Sequence, residues 1–573
     1  MQLAMSVKFG ALVVLAALFM PALAVADDRA DKQYQGRKVC AGCHKAQDAL
    51  WSGSHHDLAM QPASEQTVSG DFDSASLTHF GVTSTFFRKD GAFMVRTEGP
   101  DGKLHDYEIR YTFGAEPLQQ YLIAFPGGRL QALSLAWDSR PADRGGQRWF
   151  HLYPGERITH DDELHWTQPA QNWNSMCAEC HSTDLLKNYD PESRTFSTGW
   201  FEIDVSCEAC HGPGAGHVTW ARQSPGLRKQ DPGKGLVVQL DERRDVHWTI
   251  NPETGTATRS QPRKSEREIE MCARCHARRS PISHGYVHGE RLLDHYLPRL
   301  LDEGMYHADG QIDDEVYVYG SFLQSRMYQA GVTCSDCHEP HSLQLRAPGN
   351  GVCLQCHAAQ KYDAASHHFH KAGSQGASCA ECHMPPKTYM VVDPRHDHSF
   401  RIPRPDLSVT LGTPDACTNC HADQSSGWAA KQVRDWYGGD PRGYQRYAEA
   451  FTAARHDEPD AGRSLADLVR DSEAPTIARA TALVELGPYL DAATVDVFAD
   501  SIAADDPLLR MATLQGLESV PLDVRVQLAF PALNDPVLAV RIEAARLLAA
   551  LPAGNLPAEQ QSRLERGREE YLQ

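Results

Sequence analysis

The sequence predicts a mostly α chain with little regular structure around a run of cysteine–histidine words, a β-rich insertion near its start, and an α-solenoid at its C-terminal end. Three observations carry that prediction. All sixteen cysteines fall in one five-residue word, C-x-x-C-H, written eight times. The long gap between the first two words, from Cys40 to Cys177, alternates apolar and polar residues between turn dipeptides. Residues 441–573 hold no cysteine and are rich in Ala, Leu, Arg and Asp.

The words pair Cys40 with Cys43, Cys177 with Cys180, Cys207 with Cys210, Cys272 with Cys275, Cys334 with Cys337, Cys353 with Cys356, Cys379 with Cys382, and Cys417 with Cys420. Each reads as a covalent haem c site, in which two thiols form thioethers to the haem edge and the next histidine ligates the iron. Those proximal histidines are His44, His181, His211, His276, His338, His357, His383 and His421. Zinc knuckles also pair cysteines as C-x-x-C, but zinc does not require histidine directly after the second one. A disulfide framework leaves the histidines unexplained. The expected cofactors are therefore eight covalently bound haems c, a multihaem cytochrome c with no thiol left over.

Residues 1–26 read as a signal peptide. Lys8 is the positive n-region, Phe9 to Leu23 the apolar core, and Ala24-Val25-Ala26 the cleavage site before Asp27. Pro21 and the shortness of the apolar run argue against a retained anchor. Export, to the periplasm or beyond, agrees with covalent haem attachment. No later stretch is apolar for long enough to span a bilayer, so the mature chain is expected to be soluble. The formal charge of −19 becomes more negative once Lys8 is removed. That excludes nucleic acid and anionic membrane surfaces as natural partners and favours redox proteins with basic faces.

Residues 27–66 form the segment of the first haem, and residues 67–170 the β-rich insertion. Within it Lys89-Asp90-Gly91 separates TSTFF from AFMVRTE, and Gly99-Pro100-Asp101-Gly102 separates that run from LHDYEIRYTFG. Residues 171–440 carry the other seven haems. Three words fall between residues 334 and 383, so the haems themselves must form the core there. Residues 441–573 repeat one order about every thirty residues: Glu473-Ala474-Pro475 with ARATALVEL, Asp506-Pro507 with LLRMATLQGL, Asp535-Pro536 with VRIEAARLLAAL. Asp caps, Pro in the first turn and Ala/Leu at helical period predict HEAT-like repeats, whose faces bind proteins.

A haem with two axial histidines is saturated and carries electrons, whereas one with its proximal histidine alone is open to a small ligand. Candidate distal ligands stand at His55 and His56 after the first word, His217 after the third, His284 and His288 after the fourth, and His341 after the fifth. His367, His368 and His370 precede the seventh word, and His396 and His398 follow it. Any open haem is expected near the fifth word, where His307, Arg326 and Tyr328 are weak candidates for a catalytic pocket.

The strings WSGSHH, CEACHGPGAGH, GVTCSDCHEPHS, the histidine cluster before CAECHMP, and HDHSF resemble the exported octahaem cytochromes c with doubled C-x-x-C-H motifs. That superfamily includes hydroxylamine oxidoreductase and the octahaem nitrite and tetrathionate reductases. FPGGRLQALSLAWD, QNWNSMCAECHSTDLLKNYD and DEVYVYGSFLQSRMY resemble a subgroup that joins such a haem domain to HEAT-like or tetratricopeptide-like helical repeats. The resemblance covers residues 35–425 well and the tail loosely. It implies His56 over His55, His370 over its neighbours, His398 over His396, and His288 over His284 as distal ligands. The chain departs from the nitrite reductases in having no C-x-x-C-K word. It carries Tyr306, Tyr317, Tyr319 and Tyr328 before the fifth word, where hydroxylamine oxidoreductases cross-link a tyrosine to their catalytic haem. The expected function is electron relay through mostly bis-histidine haems. The alternative is a multihaem oxidoreductase acting on a small nitrogen or sulfur compound at one open haem.

Overall fold

A computed structural model describes residues 33–572, apart from residues 284, 492–493, 553 and 555. The signal peptide and His284 lie outside the described residues. No described helix is long and apolar enough to cross a membrane.

The insertion is a substantial antiparallel sheet, so the chain is mixed α and β rather than mostly α. Its strands are β1 (Gln61–Pro62), β2 (Ala75–His79), β3 (Val82–Lys89), β4 (Ala92–Glu98), β5 (Leu104–Phe113), β6 (Leu118–Phe125), β7 (Arg129–Ala132), β8 (Leu135–Asp138) and β9 (Arg148–His151). The order is β2-β3-β4-β5-β6-β8-β9, with β1 paired to β5 and β7 to β6. Asp90 and Gly91, both at positive φ, make the two-residue turn that pairs Lys89 with Ala92. Period-2 alternation then sends Phe86, Phe93 and Val95 inward. The sheet curls until its ends meet. Phe86 of β3 stacks on Trp149 of β9 with ring centroids 3.5 Å apart, and His79 of β2 stacks on His151 of β9 at 3.8 Å. Phe72, Tyr121, Trp137 and Trp166 complete this core.

The C-terminal region is helical. Thr476–Leu486 packs between Ala461–Arg470 and Pro507–Gly516, which in turn packs on Leu538–Leu547 and, through it, on Ala558–Leu572. Arg479, Arg510 and Arg541 recur 31 residues apart at matching helical positions. Asp506 caps its helix by accepting from the Leu508 amide at 2.9 Å, and Asp535 accepts from Val537 at 2.9 Å. The Thr476–Leu486 helix has no side-chain cap and starts directly after Pro475. Successive helices approach so closely that a Cβ on Gly487 would lie 2.3 Å from the Gly516 carbonyl oxygen.

Residue 441 does not divide two cores. Leu293, Leu301, Tyr306, Ile312 and Leu323 share one apolar cluster with Tyr447, Phe451, Leu465 and Leu483. Polar ties cross the same boundary: Arg455 donates to the Leu301 carbonyl at 2.7 Å, and the Leu301 amide donates to Thr481 Oγ1 at 3.0 Å. The helical region is thereby fixed to the segment that leads into the fifth word.

Candidate haem-binding sites

Each word needs its two thiols on one face, and a single helical turn provides that spacing. Seven words lie on or at the end of short helices: Arg37–Cys43, Ala178–His181, Cys207–His211, Arg267–His276, Cys334–Cys337, Gly351–Leu354 and Cys379–His383. The eighth is a turn closed by the His421 amide donating to the Cys417 carbonyl at 2.9 Å. All sixteen thiols are free of disulfides. The fifth helix starts on a capping box, with Thr333 and Asp336 serving each other's backbone amides.

Acidic side chains inside or beside the words tie neighbouring words together. Buried Glu208 of the third word accepts from the Gly36 amide at 2.7 Å, just before the first word, and from Gly214 at 2.6 Å. Buried Glu268, ahead of the fourth word, accepts from the Ser335 amide of the fifth at 2.7 Å and from its hydroxyl at 2.9 Å.

The words form a line with one branch. Thiol contacts join Cys40 to Cys207, Cys272 to Cys334, and Cys353 to Cys379. Electrostatic proximity joins Cys210 to Cys275, Cys337 to Cys356, and Cys382 to Cys420. The order is first, third, fourth, fifth, sixth, seventh, eighth. The second word joins at the fourth, through Cys180 and Cys275. Cys43 and Cys420, in the two end words, are the exposed thiols of the sixteen.

Whether these words suit haem is tested by the space above each proximal histidine. Two imidazoles sharing one metal through bonds of about 2 Å stand with ring centroids about 6.2 Å apart. Six words have a second histidine at that separation. His217 stands 6.0 Å from His44, His341 6.4 Å from His211, and His56 6.4 Å from His276. His398 stands 6.5 Å from His338, His367 6.1 Å from His383, and His370 6.2 Å from His421.

The rings are also held in the ligating form. Nδ1 of His217 is 2.8 Å from the Lys234 carbonyl, that of His398 2.9 Å from the His396 carbonyl, and that of His383 2.8 Å from the Arg401 carbonyl. A carbonyl only accepts, so Nδ1 carries the proton and Nε2 keeps its lone pair. Burial pushes His56 and His398 down to about 4, which keeps both neutral at physiological pH. The donor set and its spacing fit haem c.

Among the described residues, no histidine stands this way over His181 or His357. Phe113 is edge-on to His181 at 5.6 Å, and Tyr362 is edge-on to His357 at 5.3 Å. A cavity of about 680 Å³, lined by Gly255, Ala358, Lys361, Tyr362, His367 and Tyr437, opens beside the sixth and seventh words. Tyr317 is within electrostatic reach of Cys180 and Cys177 of the second word and is itself at φ 60°, a region bulky residues avoid. The Arg395 guanidinium is 5.8 Å from its ring and pairs with Glu315 and Asp393.

His288 is placed elsewhere. Its Nε2 is 3.1 Å from the Ala209 carbonyl inside the third word, and its ring is edge-on to Tyr286. His367, passed over in the sequence for His370, faces the seventh word instead. The only signal for it was its place three residues before His370 in a histidine-rich turn. His307, Arg326 and Tyr328 do not converge. His307 stands 3.4 Å from Asp313, Arg326 lies over Tyr444, and Tyr328 lies against Arg263.

Comparison with known proteins agrees with the words. The model of the doubled CXXCH motif matches residues 328–362, and that of cytochrome c554 and c-prime matches residues 152–212. A search of curated proteins found no match. Among solved structures, the outer cell wall cytochrome OcwA matches at 17% identity and a TM-score of 0.45, over 85% of this chain and 100% of that one. The eight words and the two motif matches support a multihaem c-type cytochrome that binds haem covalently.

Proposed function

We propose that this multihaem c-type cytochrome is an exported, periplasmic electron relay that carries eight haems c, six of them between two histidines. The observation that carries this reading is the set of six imidazole pairs at 6.0–6.5 Å. When bound, each haem supplies an iron that takes up and returns one electron. The chain's residues do the rest. Paired histidines would hold each of those six haems and leave no place for an outside ligand, and carbonyl-anchored Nδ1 groups keep rings such as His217, His383 and His398 oriented. The acidic ties keep consecutive words in contact. The first and eighth words, with their exposed thiols, are the natural points of electron entry and exit. The stacked C-terminal helices, read as a HEAT-like solenoid, would dock a redox protein close to the fifth word.

Haem content by pyridine haemochrome and ferric electron paramagnetic resonance test this reading together. It expects eight haems per chain, six low-spin. Fewer than six low-spin irons in a chain with full haem content refutes it.

A second reading is favoured by the second and sixth words, whose proximal histidines lack a described partner. Either site would admit a small ligand. At the second word Tyr317 and Arg395 supply a hydroxyl and a cation suited to a nitrogen or sulfur oxyanion. Assays with reduced dye and nitrite, hydroxylamine, tetrathionate or sulfite distinguish the readings. Turnover on any of them makes the protein an oxidoreductase as well as a relay.

A further inference from the structure

The fifth and seventh words meet through one short run of chain, from Asp397 to Arg401. Phe400, near its end, is at φ 47°, a left-handed conformation that a bulky residue keeps only where its surroundings impose it. Its ring stands edge-on to His398 at 5.8 Å and packs on the apolar cluster of Ile269, Phe322 and Val332. On one side of this turn is His398, 6.5 Å from His338 of the fifth word with the ring planes 25° apart. On the other side is Arg401, whose backbone is bonded to His383 of the seventh word in both directions. The Arg401 amide donates to the His383 carbonyl at 3.1 Å, and His383 Nδ1 donates to the Arg401 carbonyl at 2.8 Å. The turn at Phe400 thus sets where two imidazoles point.

The Arg401 side chain holds that turn. All three guanidinium nitrogens are engaged: Nη1 is 2.9 Å from Asp309 Oδ2, Nη2 donates to the Asp309 carbonyl at 2.6 Å, and Nε donates to Ser399 Oγ at 3.1 Å. The Arg401 and Asp309 side chains are 8% and 5% exposed, so removing either one strands the other's charge away from water. Ser399 is fixed from two more sides, its amide donating to Asp397 at 2.8 Å and its carbonyl accepting from Gln445 at 2.9 Å. Asp309 stands 92 residues before Arg401, and Gln445 belongs to the helical region. The groups that close the turn therefore lie outside both words. A ligating imidazole is oriented by the partner of its other nitrogen, and disturbing that partner weakens the ligand.

We propose that Arg401, paired with Asp309, is a positioning residue for two haems at once: it orients the proximal His383 of the seventh word and the distal His398 of the fifth. It acts on the first ring through its carbonyl and on the second through the Phe400 turn. This rests on the reading of the words as haem sites, with His338–His398 and His367–His383 as axial pairs. Those pairs lie with ring planes 25° and 14° apart, and a single buried ion pair ties both arrangements together. Loosening it releases both.

The test is ferric electron paramagnetic resonance of the full-length haem-loaded protein, compared at equal haem content. The g values of a low-spin bis-histidine haem report the angle between its two ring planes. His398→Ala and His367→Ala first identify the two signals, since each should remove one. The variants compared are then Arg401→Gln and Asp309→Asn. Each should shift both of these signals, or convert both to high spin, and leave the other four low-spin signals in place. A residue that merely supports the fold would lower the melting temperature with the spectrum intact. If either variant alters one of the two signals, neither, or all six, the proposal is overturned. Should Arg401→Gln fail to accumulate, Asp309→Asn decides alone. Fewer than six low-spin irons in the wild type at full haem content overturns the underlying reading instead, before any variant is compared.

Discussion

Replacing His367 with alanine removes the imidazole 6.1 Å from His383, and replacing His370 removes the one 6.2 Å from His421. The two residues are three apart in sequence, yet they face different words. Each substitution should therefore open a different iron. With six paired words of eight, about a quarter of the irons are high-spin in the wild type, and either single substitution raises that to about three eighths. The double variant should reach about half. Spin quantitation of the ferric protein at equal haem content measures these fractions, and cyanide binding counts the newly opened sites. The effects must add, because the two sites share no imidazole. A double variant no more high-spin than either single variant would mean that both histidines serve one word, and the assignment of separate partners would fall.

Two further predictions concern the protein matrix. Trp149→Ala removes a buried indole that stacks on Phe86 and donates to the Asp71 carbonyl at 2.9 Å, so it should destabilise the sheet by about 3–5 kcal/mol. The corresponding melting transition should fall while the haem count stays the same. Loss of haem would show that the sheet and the haem words fold as one. Burial holds Glu485 up at about 7, with Arg455 pulling the other way. The unfolded chain ionises this group near 4.5, so the folded state keeps a proton that the unfolded one releases. Stability from this group is full below about pH 4.5 and is lost as pH rises through 7, by at most roughly 3 kcal/mol. Glu485→Gln should flatten the decline in melting temperature between pH 5 and pH 8. An unchanged slope refutes the assignment.

Local chemistry was readable from the chain, and long-range pairing was not. The Asp90-Gly91 turn and the Asp506-Pro507 helix start each follow from a few adjacent residues. The sheet was underestimated because β6 to β9 read as mixed apolar stretches without a clean period. Their closure depends on Trp149 meeting Phe86 from the far edge. The end of the haem region at residue 441 followed composition, which shifts there, whereas the apolar core runs on from Leu293 to Leu483. The histidine clusters that hold His56, His217, His341, His370 and His398 could be singled out as candidates, but not the word each would face. His288 had the same local look as these and turns to the Ala209 carbonyl instead.

The crossing of histidines between segments bears on how such a chain can change over time. His56 precedes the second word yet faces the fourth, His341 follows the fifth yet faces the third, and His398 follows the seventh yet faces the fifth. Of the six paired words, the seventh draws both histidines, His367 and His383, from its own stretch of chain, and the other five borrow theirs from another. A duplication, deletion or early stop that respects the boundaries of one word still takes a donor from another. Five of the words are therefore tied to segments other than their own. Variation in length is easiest where no histidine is lent across, in the loops of the sheet and beyond the last of the stacked helices.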